Sequence, residues 1–160
     1  MPNCNCCGKT LSRADSIKRG MGEICYGHLQ EDIERGTVRN GTKIEPKSWD
    51  DNQIRLPEKS KGKVYKAVRG IINNRLVICE GSQLRDLPHI MYHSPDGFEW
   101  GYGGSGPSDL ARSILYDVAG LAVADRYYQL FKEKFLCHTD KDGFTLKEED
   151  ILNWLRRVIR

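Results

Sequence analysis

A chain of 160 residues, 39% hydrophobic and 29% charged, has room for one ordinary domain plus a small accessory module. Its formal net charge of +3 is too small to mark a nucleic-acid-binding protein on charge alone, and no apolar run approaches the roughly 20 residues of a membrane span. No apolar stretch follows Met1-Pro2-Asn3-Cys4, which predicts a chain without a signal peptide, at home in a reducing cytoplasm where cysteines bind metal in preference to forming disulfides.

The first unit, residues 1–35, carries Cys4, Cys7, Cys25 and His28. The pattern is Cys-x2-Cys and then Cys-x2-His, two close pairs of soft or borderline ligands that suit a structural, tetrahedral zinc ion. Four protein ligands close the site and leave no position for a substrate water, so the pattern points to an anchoring or recognition module. Cys6 is a spare thiol that leaves the first pair open; Cys4 with Cys7 is preferred because two intervening residues fit a knuckle. Gly8 allows the tight turn beneath the metal. From about Glu23 the spacing of Ile24, His28, Leu29 and Ile33 predicts a helix. Cys25 and His28 then share one side of its first turn, a treble-clef-like arrangement. Lys9, Arg13, Lys18 and Arg19 could grip nucleic acid through such a module, or could simply solvate it.

Residues 36–62 read as a linker, punctuated by Gly36, Gly41, Pro46 and Pro57, with Ile44, Trp49 and Ile54 available to pin it to the main body. Residues 63–160 read as one α+β domain. Val64–Val68 and Leu76–Cys79 are short strand-like runs joined through Asn73-Asn74. Ile90–His93 and Phe98–Tyr102 read as a further strand pair around the turn sequence Pro95-Asp96-Gly97.

Helices follow. Ser108 or Asp109 is the expected cap of a helix whose Leu110, Ile114, Leu115 and Val118 share a face. Gly120 should break it, and a second helix should run through Tyr127, Leu130, Phe131 and Phe135. Asp140–Gly143 reads as a turn. Thr145-Leu146-Lys147-Glu148 has the form of a capping box opening a last helix, with Ile151, Leu152, Leu155, Val158 and Ile159 inward. The fold expected is therefore a small antiparallel β-sheet packed by C-terminal helices, with an N-terminal treble-clef-like zinc module.

Chemistry beyond the zinc set is sparse. Gly101-Tyr102-Gly103-Gly104-Ser105-Gly106-Pro107 leads into a helix N-terminus, where free backbone N–H groups and the helix dipole favour an anion such as a phosphorylated small ligand. The lysine of a P-loop is missing. The competing reading is that the glycines let the chain pass beneath Trp100 and Tyr102 and close the core. His89 and His93 are four apart, but Pro88 and Pro95 argue for extended backbone rather than a helical ligand pair. His138–Glu149 imitates a calcium loop through Asp140, Asp142, Gly143 and Glu149, with His138 where the first carboxylate belongs. No nucleophile–base pair stands out.

Residues 93–107, His-Ser-Pro-Asp-Gly-Phe-Glu-Trp-Gly-Tyr-Gly-Gly-Ser-Gly-Pro, with Asp109-Leu110-Ala111, resemble the signature of an uncharacterised domain family of phages and bacteria. The resemblance extends through Tyr127-Tyr128, Phe131-Lys132 and Ile151–Leu155, covering roughly residues 63–158. It implies origin more than activity. The stretch Cys4-x2-Cys7-Gly8-Lys9-x-Leu11, with Ser16, Gly20-x-Gly22 and Cys25, is similar to a second uncharacterised family of small zinc modules; relatives tend to have a proline where this chain has Ile24. Together the residues and resemblances predict a non-enzymatic accessory protein of a phage or mobile element, cytoplasmic in the bacterial host. Its partner would be nucleic acid or a host protein. His93, Trp100, Tyr102, Gly103, Gly104 and Ser105 are the candidate contact residues in the signature. An inhibitor of host defence, blocking a host protein or sequestering a nucleotide signal at the glycine-rich loop, is the alternative. An enzyme acting on nucleotides or nucleic acid is a weaker one.

Overall fold

The computed structural model describes residues 10, 12–14, 45–70, 74–94 and 97–159. The proposed zinc ligands Cys4, Cys7, Cys25 and His28 lie outside these residues, as do Cys6, Lys9, Lys18 and Arg19. Of the basic N-terminal candidates only Arg13 falls within them, and it is exposed.

Four antiparallel strands form one sheet in the order β3-β2-β1-β4, with β1 at Val64–Val68, β2 at Arg75–Glu80, β3 at Gln83–Asp86 and β4 at Gly143–Lys147. The central pair follows from alternation. Tyr65 and Ala67 of β1 and Leu76 and Ile78 of β2 are buried, while Lys66, Val68 and Arg75 are exposed, as expected of an antiparallel sheet with one face on the core. Gly81, with φ +60°, turns β2 into β3, and Glu80 faces Gln83 across that two-residue connection. At Gly143 the Ala67 carbonyl oxygen would lie 2.5 Å from an added Cβ, so the close approach of β1 and β4 requires glycine there.

Three helices complete the domain: α1 at Ser105–Ala119, α2 at Leu121–Phe131, prolonged by a π-helical turn at Lys132–Leu136, and α3 at Glu148–Val158. Gly120, with φ +86°, separates α1 from α2, at the break the sequence predicts. Residues Gly106–Leu115 of α1 are all buried. That makes α1 the central helix, and its polar members Ser108, Asp109, Arg112 and Ser113 must find partners inside the protein. Tyr65, Leu76 and Ile78 from the sheet, Leu110, Ile114 and Leu115 from α1, Val123 and Phe131 from α2, and Ile151, Leu152 and Leu155 from α3 share one core. Each such aliphatic side chain contributes about 1.5–3 kcal/mol by leaving water.

Several local expectations are corrected. Ile90–His93 and Phe98–Tyr102 do not form strands. The Ile90 N–H donates to Ser113 Oγ, and the N–H groups of Tyr92 and His93 donate to Asp109, so side chains of α1 take the bonds a neighbouring strand would have taken. The first helix is capped by Gly104 and begins at Ser105; Ser108 and Asp109 lie inside it, buried. Thr145 is not a helix cap. It pairs with Lys66 in β4, and Lys147 caps α3. The sheet edges β3 and β4 were not expected as strands.

The described part of the segment before β1 lies against the domain. The Lys47 N–H and Trp49 Nε1 donate to Asp125 Oδ2 at 3.0 and 2.7 Å. Ile54 and Leu56 pack on the core. Ser60 Oγ and the Lys61 N–H donate to Glu148 Oε2 at 2.8 and 2.6 Å, and Arg156 donates to the carbonyls of Pro57 and Glu58.

Candidate functional site

The signature wraps around the first half of α1, and Asp109 is its anchor. Its side chain is fully buried and accepts from the N–H groups of Tyr92, His93 and Ser94 at 2.8–3.1 Å, with His89 Nε2 3.0 Å away. Burial alone would raise the carboxyl's pKa. The hydrogen bonds from His89, His93, Ser94 and Tyr92 outweigh burial and hold it below the ordinary carboxylate value. One anionic side chain therefore fixes the loop 89–94 without any strand pairing.

One turn further along α1, Arg112 and Asp125 form an ion pair at 2.7 Å with both side chains fully buried. The Arg112 guanidinium also lies over the Tyr92 ring, 5.8 Å from its centroid. His93 is exposed at the rim, its Nε2 2.9 Å from Tyr128 Oη and its ring edge-on to Tyr92. His89 and His93 are thus divided between Asp109 and Tyr128.

Trp100 is a core residue, 1% exposed, edge-on to Phe144 and covered by the Arg69 guanidinium 4.6 Å from its centroid. Its buried indole N–H has no hydrogen-bond partner among the described residues. Arg69 is held in turn by Glu99 at 3.0 Å and by the Lys141 carbonyl at 2.6 Å. The glycines serve close packing. Gly101, with φ +83°, packs against Lys141 and the Thr139 carbonyl. An added Cβ at Gly106 would meet Glu99 Cβ at 2.6 Å. Gly104 lies under the Tyr102 ring, which an added Cβ would meet at 2.4 Å. Tyr102 itself is 49% exposed. Gly103 and Ser105 are exposed beside it, and Lys132 Nζ reaches Ser108 Oγ at 3.4 Å and Glu133 at 3.8 Å.

A second buried network joins the sheet to the helices. Asp117 of α1 accepts from Tyr65 Oη at 2.7 Å and pairs with Lys63 at 3.0 Å and Arg85 at 2.6 Å. Burial again opposes ionisation of Asp117, and the bonds from Tyr65 and Arg85 together with the Lys63 charge lower its pKa on balance. Burial, then the adjacent Asp117 charge, pushes the Tyr65 phenol far above its ordinary value. Burial, then Glu133, raises the Cys137 thiol, which favours its protonated form.

Asp109, Arg112, Asp117, Asp125 and Glu148 organise the site, yet none is a candidate on spacing or composition. Charged residues scattered along helices look like solvated faces, and only their burial or half-burial in the packed domain, itself a tertiary fact, marks them. The His138–Glu149 stretch runs as turn, strand β4 and the start of α3. Among the described residues no three His, Cys, Asp or Glu side chains converge as a metal site, and no helix is long and apolar enough to cross a membrane. Two shallow hollows are open and polar. One, about 380 Å³, is lined by Lys47, Trp49, Asp51 and Arg126 among others. The other, about 430 Å³, lies between Glu58–Gly62 and Glu149, Leu152 and Arg156. Neither includes a residue of the signature.

The model of a family of unknown function, DUF6011, matches residues 2–30, the segment that holds the proposed zinc ligands. No curated protein and no solved structure matches the chain. The model of a second family of unknown function, DUF6166, matches residues 65–157, which takes in β1 to β4 but for the first residue of β1, α1 to α3 but for the last residue of α3, and the whole Asp109-centred signature. The chain belongs to this family, DUF6166.

Proposed function

We propose that the chain is a non-enzymatic accessory protein of a phage or mobile element, in which a zinc-held N-terminal module and the α+β domain together bind a macromolecular partner. The Cys-x2-Cys and Cys-x2-His spacing supports the zinc module. The observation that carries the binding reading is Tyr102. Its ring is half exposed and seated on the bare backbone of Gly104, and it is the large apolar side chain that the described part of the signature exposes to solvent. An aromatic ring held in place before contact loses little freedom on binding, and such rings dominate interface energetics. Asp109 and the Arg112–Asp125 pair are engaged in holding loop 89–94, α1 and α2 together, as a recognition scaffold requires.

Tagged wild-type chain and Tyr102→Ala would be used to recover partners from bacterial host lysate, with and without nuclease. A partner recovered by wild type and lost by at least about tenfold in Tyr102→Ala, with circular dichroism unchanged, is expected; that loss corresponds to ~1.4 kcal/mol, ordinary for an aromatic anchor. Nuclease sensitivity and a steep fall of affinity with salt would assign the partner to nucleic acid, and insensitivity to a host protein. Equal recovery by both chains would overturn the reading of Tyr102.

A further inference from the structure

We propose that the outer face of the sheet is an interaction surface for an acidic polypeptide segment carrying aliphatic side chains. This rests on the binding reading above and adds a surface distinct from Tyr102.

Strand register fixes which side chains share that face. Directly paired residues of an antiparallel sheet project to the same side. Leu84, Cys79, Val64 and Lys147 therefore form one row across all four strands. Asp86, Val77, Lys66 and Thr145 form the next, and Arg75, Val68 and Gly143 the third. Tyr65, Ala67, Leu76 and Ile78 alternate with these on the core side. Of the four large apolar side chains exposed among the described residues, two lie on this face: Leu84 is 71% exposed and Val68 55%. Val64 and Val77 between them are half-buried. A sheet face open to water is ordinarily polar; this one is an aliphatic strip with cations set into it.

The charge on the strip is one-sided. Asp86 is bound to Arg75 at 2.7 Å, which cancels both. Lys66 and Lys147 are exposed, and neither side-chain amine is hydrogen-bonded or ion-paired among the described residues. Their cross-strand neighbours are Val77 and Thr145 for Lys66, and Val64 for Lys147. A complementary occupant brings carboxylates to the two lysines and aliphatic groups to Leu84, Val64, Val77 and Val68.

Size selects among occupants. Four strands about 4.8 Å apart and three rows about 7 Å apart give a face roughly 14 Å on a side, close to the width of one helix or a short extended segment. A stable dimer needs about 800 Å² from each copy, several times what this face offers. Two lysines fall well short of the 6–10 phosphate contacts typical of a duplex binder, and the aliphatic groups between them would meet no phosphate.

The probe is a fluorescein-labelled amphipathic peptide of leucine and glutamate, compared with its glutamine-for-glutamate counterpart and with a labelled DNA duplex, each titrated by anisotropy into the full-length chain. The acidic peptide is expected to bind. Its affinity should fall about tenfold in a Lys66→Glu, Lys147→Glu double variant, by a similar factor in Leu84→Ser, and on replacing glutamate by glutamine. Because both lysines and Leu84 are exposed, thermal midpoints should stay near wild type and confirm folded variants. Unchanged peptide affinity in the variants would overturn the proposal. So would duplex binding lost in the same variants without peptide binding, which would make the face a nucleic-acid surface. A concentration-dependent dimer abolished by Leu84→Ser would also overturn it by giving the face to a second copy. Protection of Lys66 and Lys147 from amine labelling in the free chain would do the same, since the face would already be occupied. Tyr102→Ala leaves this face intact and the lysine variants leave Tyr102 intact, so the two readings fail separately.

Discussion

At the residue scale the glycines of the signature divide by what stands against them. Gly106 faces the Cβ and backbone nitrogen of Glu99, which an added methyl would meet at 2.6 and 3.2 Å, and neither can swing away. Gly104 faces only the ring of Tyr102, a half-exposed side chain that an added methyl would push off its seat toward solvent. Alanine at the two positions should therefore have opposite consequences. Gly106→Ala is expected to lower stability by about 1–3 kcal/mol through overpacking, read as a shift of the urea midpoint. Gly104→Ala should stay within about 1 kcal/mol of wild type and displace Tyr102, weakening partner recovery as Tyr102→Ala does. A large stability loss at Gly104, or none at Gly106, would mean the contacts around the ring and Glu99 have been misjudged. The same arithmetic explains why sequence composition was ambiguous here. A run of glycines before a helix suits an anion site and a tight core passage equally, and only the neighbours of each missing Cβ separate the two.

At the element scale, legibility followed burial pattern. The pair β1 and β2 showed its alternation, and Leu110, Ile114, Leu115, Ile151, Leu152 and Leu155 showed helical spacing, because each element presents one polar and one apolar face. β3 was not readable, since Gln83, Leu84, Arg85 and Asp86 are all exposed and an edge strand with two wet faces has no alternation to show. β4 was hidden by Thr145-x-x-Glu148, a capping pattern whose glutamate instead accepts from Ser60, Lys61 and Lys63. Ile90–His93 reads as a strand, yet its backbone donors go to Ser113 and Asp109 of α1, some 16–23 residues away. That dependence can be measured. Asp109→Asn replaces a buried acceptor-only carboxylate by a group with two donors facing backbone N–H, and should cost about 3 kcal/mol. The pH dependence has a definite sign. Asp109 and Asp117 are both depressed in the folded chain, so their stabilisation is fully present above the unfolded carboxyl value of about 3.9. It is lost as pH falls below that value through their folded pKa values. Stability measured between pH 6 and pH 3 should drop mainly below about pH 4, and less steeply in Asp109→Asn; an identical acid limb in the variant would remove Asp109 as a contributor.

At the scale of the whole molecule, the domain takes in chain that reads as a linker. Asp125, already paired to Arg112 in the interior, also receives the Lys47 amide and the Trp49 indole. Glu148 gathers Ser60, Lys61 and Lys63, and Arg156 binds the carbonyls of Pro57 and Glu58. Buried carboxylates with several donors hold a segment far more firmly than exposed ion pairs do. This has a consequence for the proposed zinc module. A unit of some 35 residues is too small to bury a core and depends on its ion for folding, whereas the domain that begins by residue 45 holds itself together with its own core and carboxylate anchors. Removing the metal should then be a local event. The full-length chain is expected to bind a single zinc, as one closed four-ligand site does, and to lose it on Cys25→Ser or on chelation. The urea midpoint followed by tryptophan fluorescence, which reports Trp49, Trp100 and Trp154, should change by less than about 0.5 kcal/mol. Zinc retained by Cys25→Ser would reject the ligand set. Zinc lost together with a large fall in that midpoint would instead show that the module and the domain fold as one unit, and would place the metal in the stability of the α+β core.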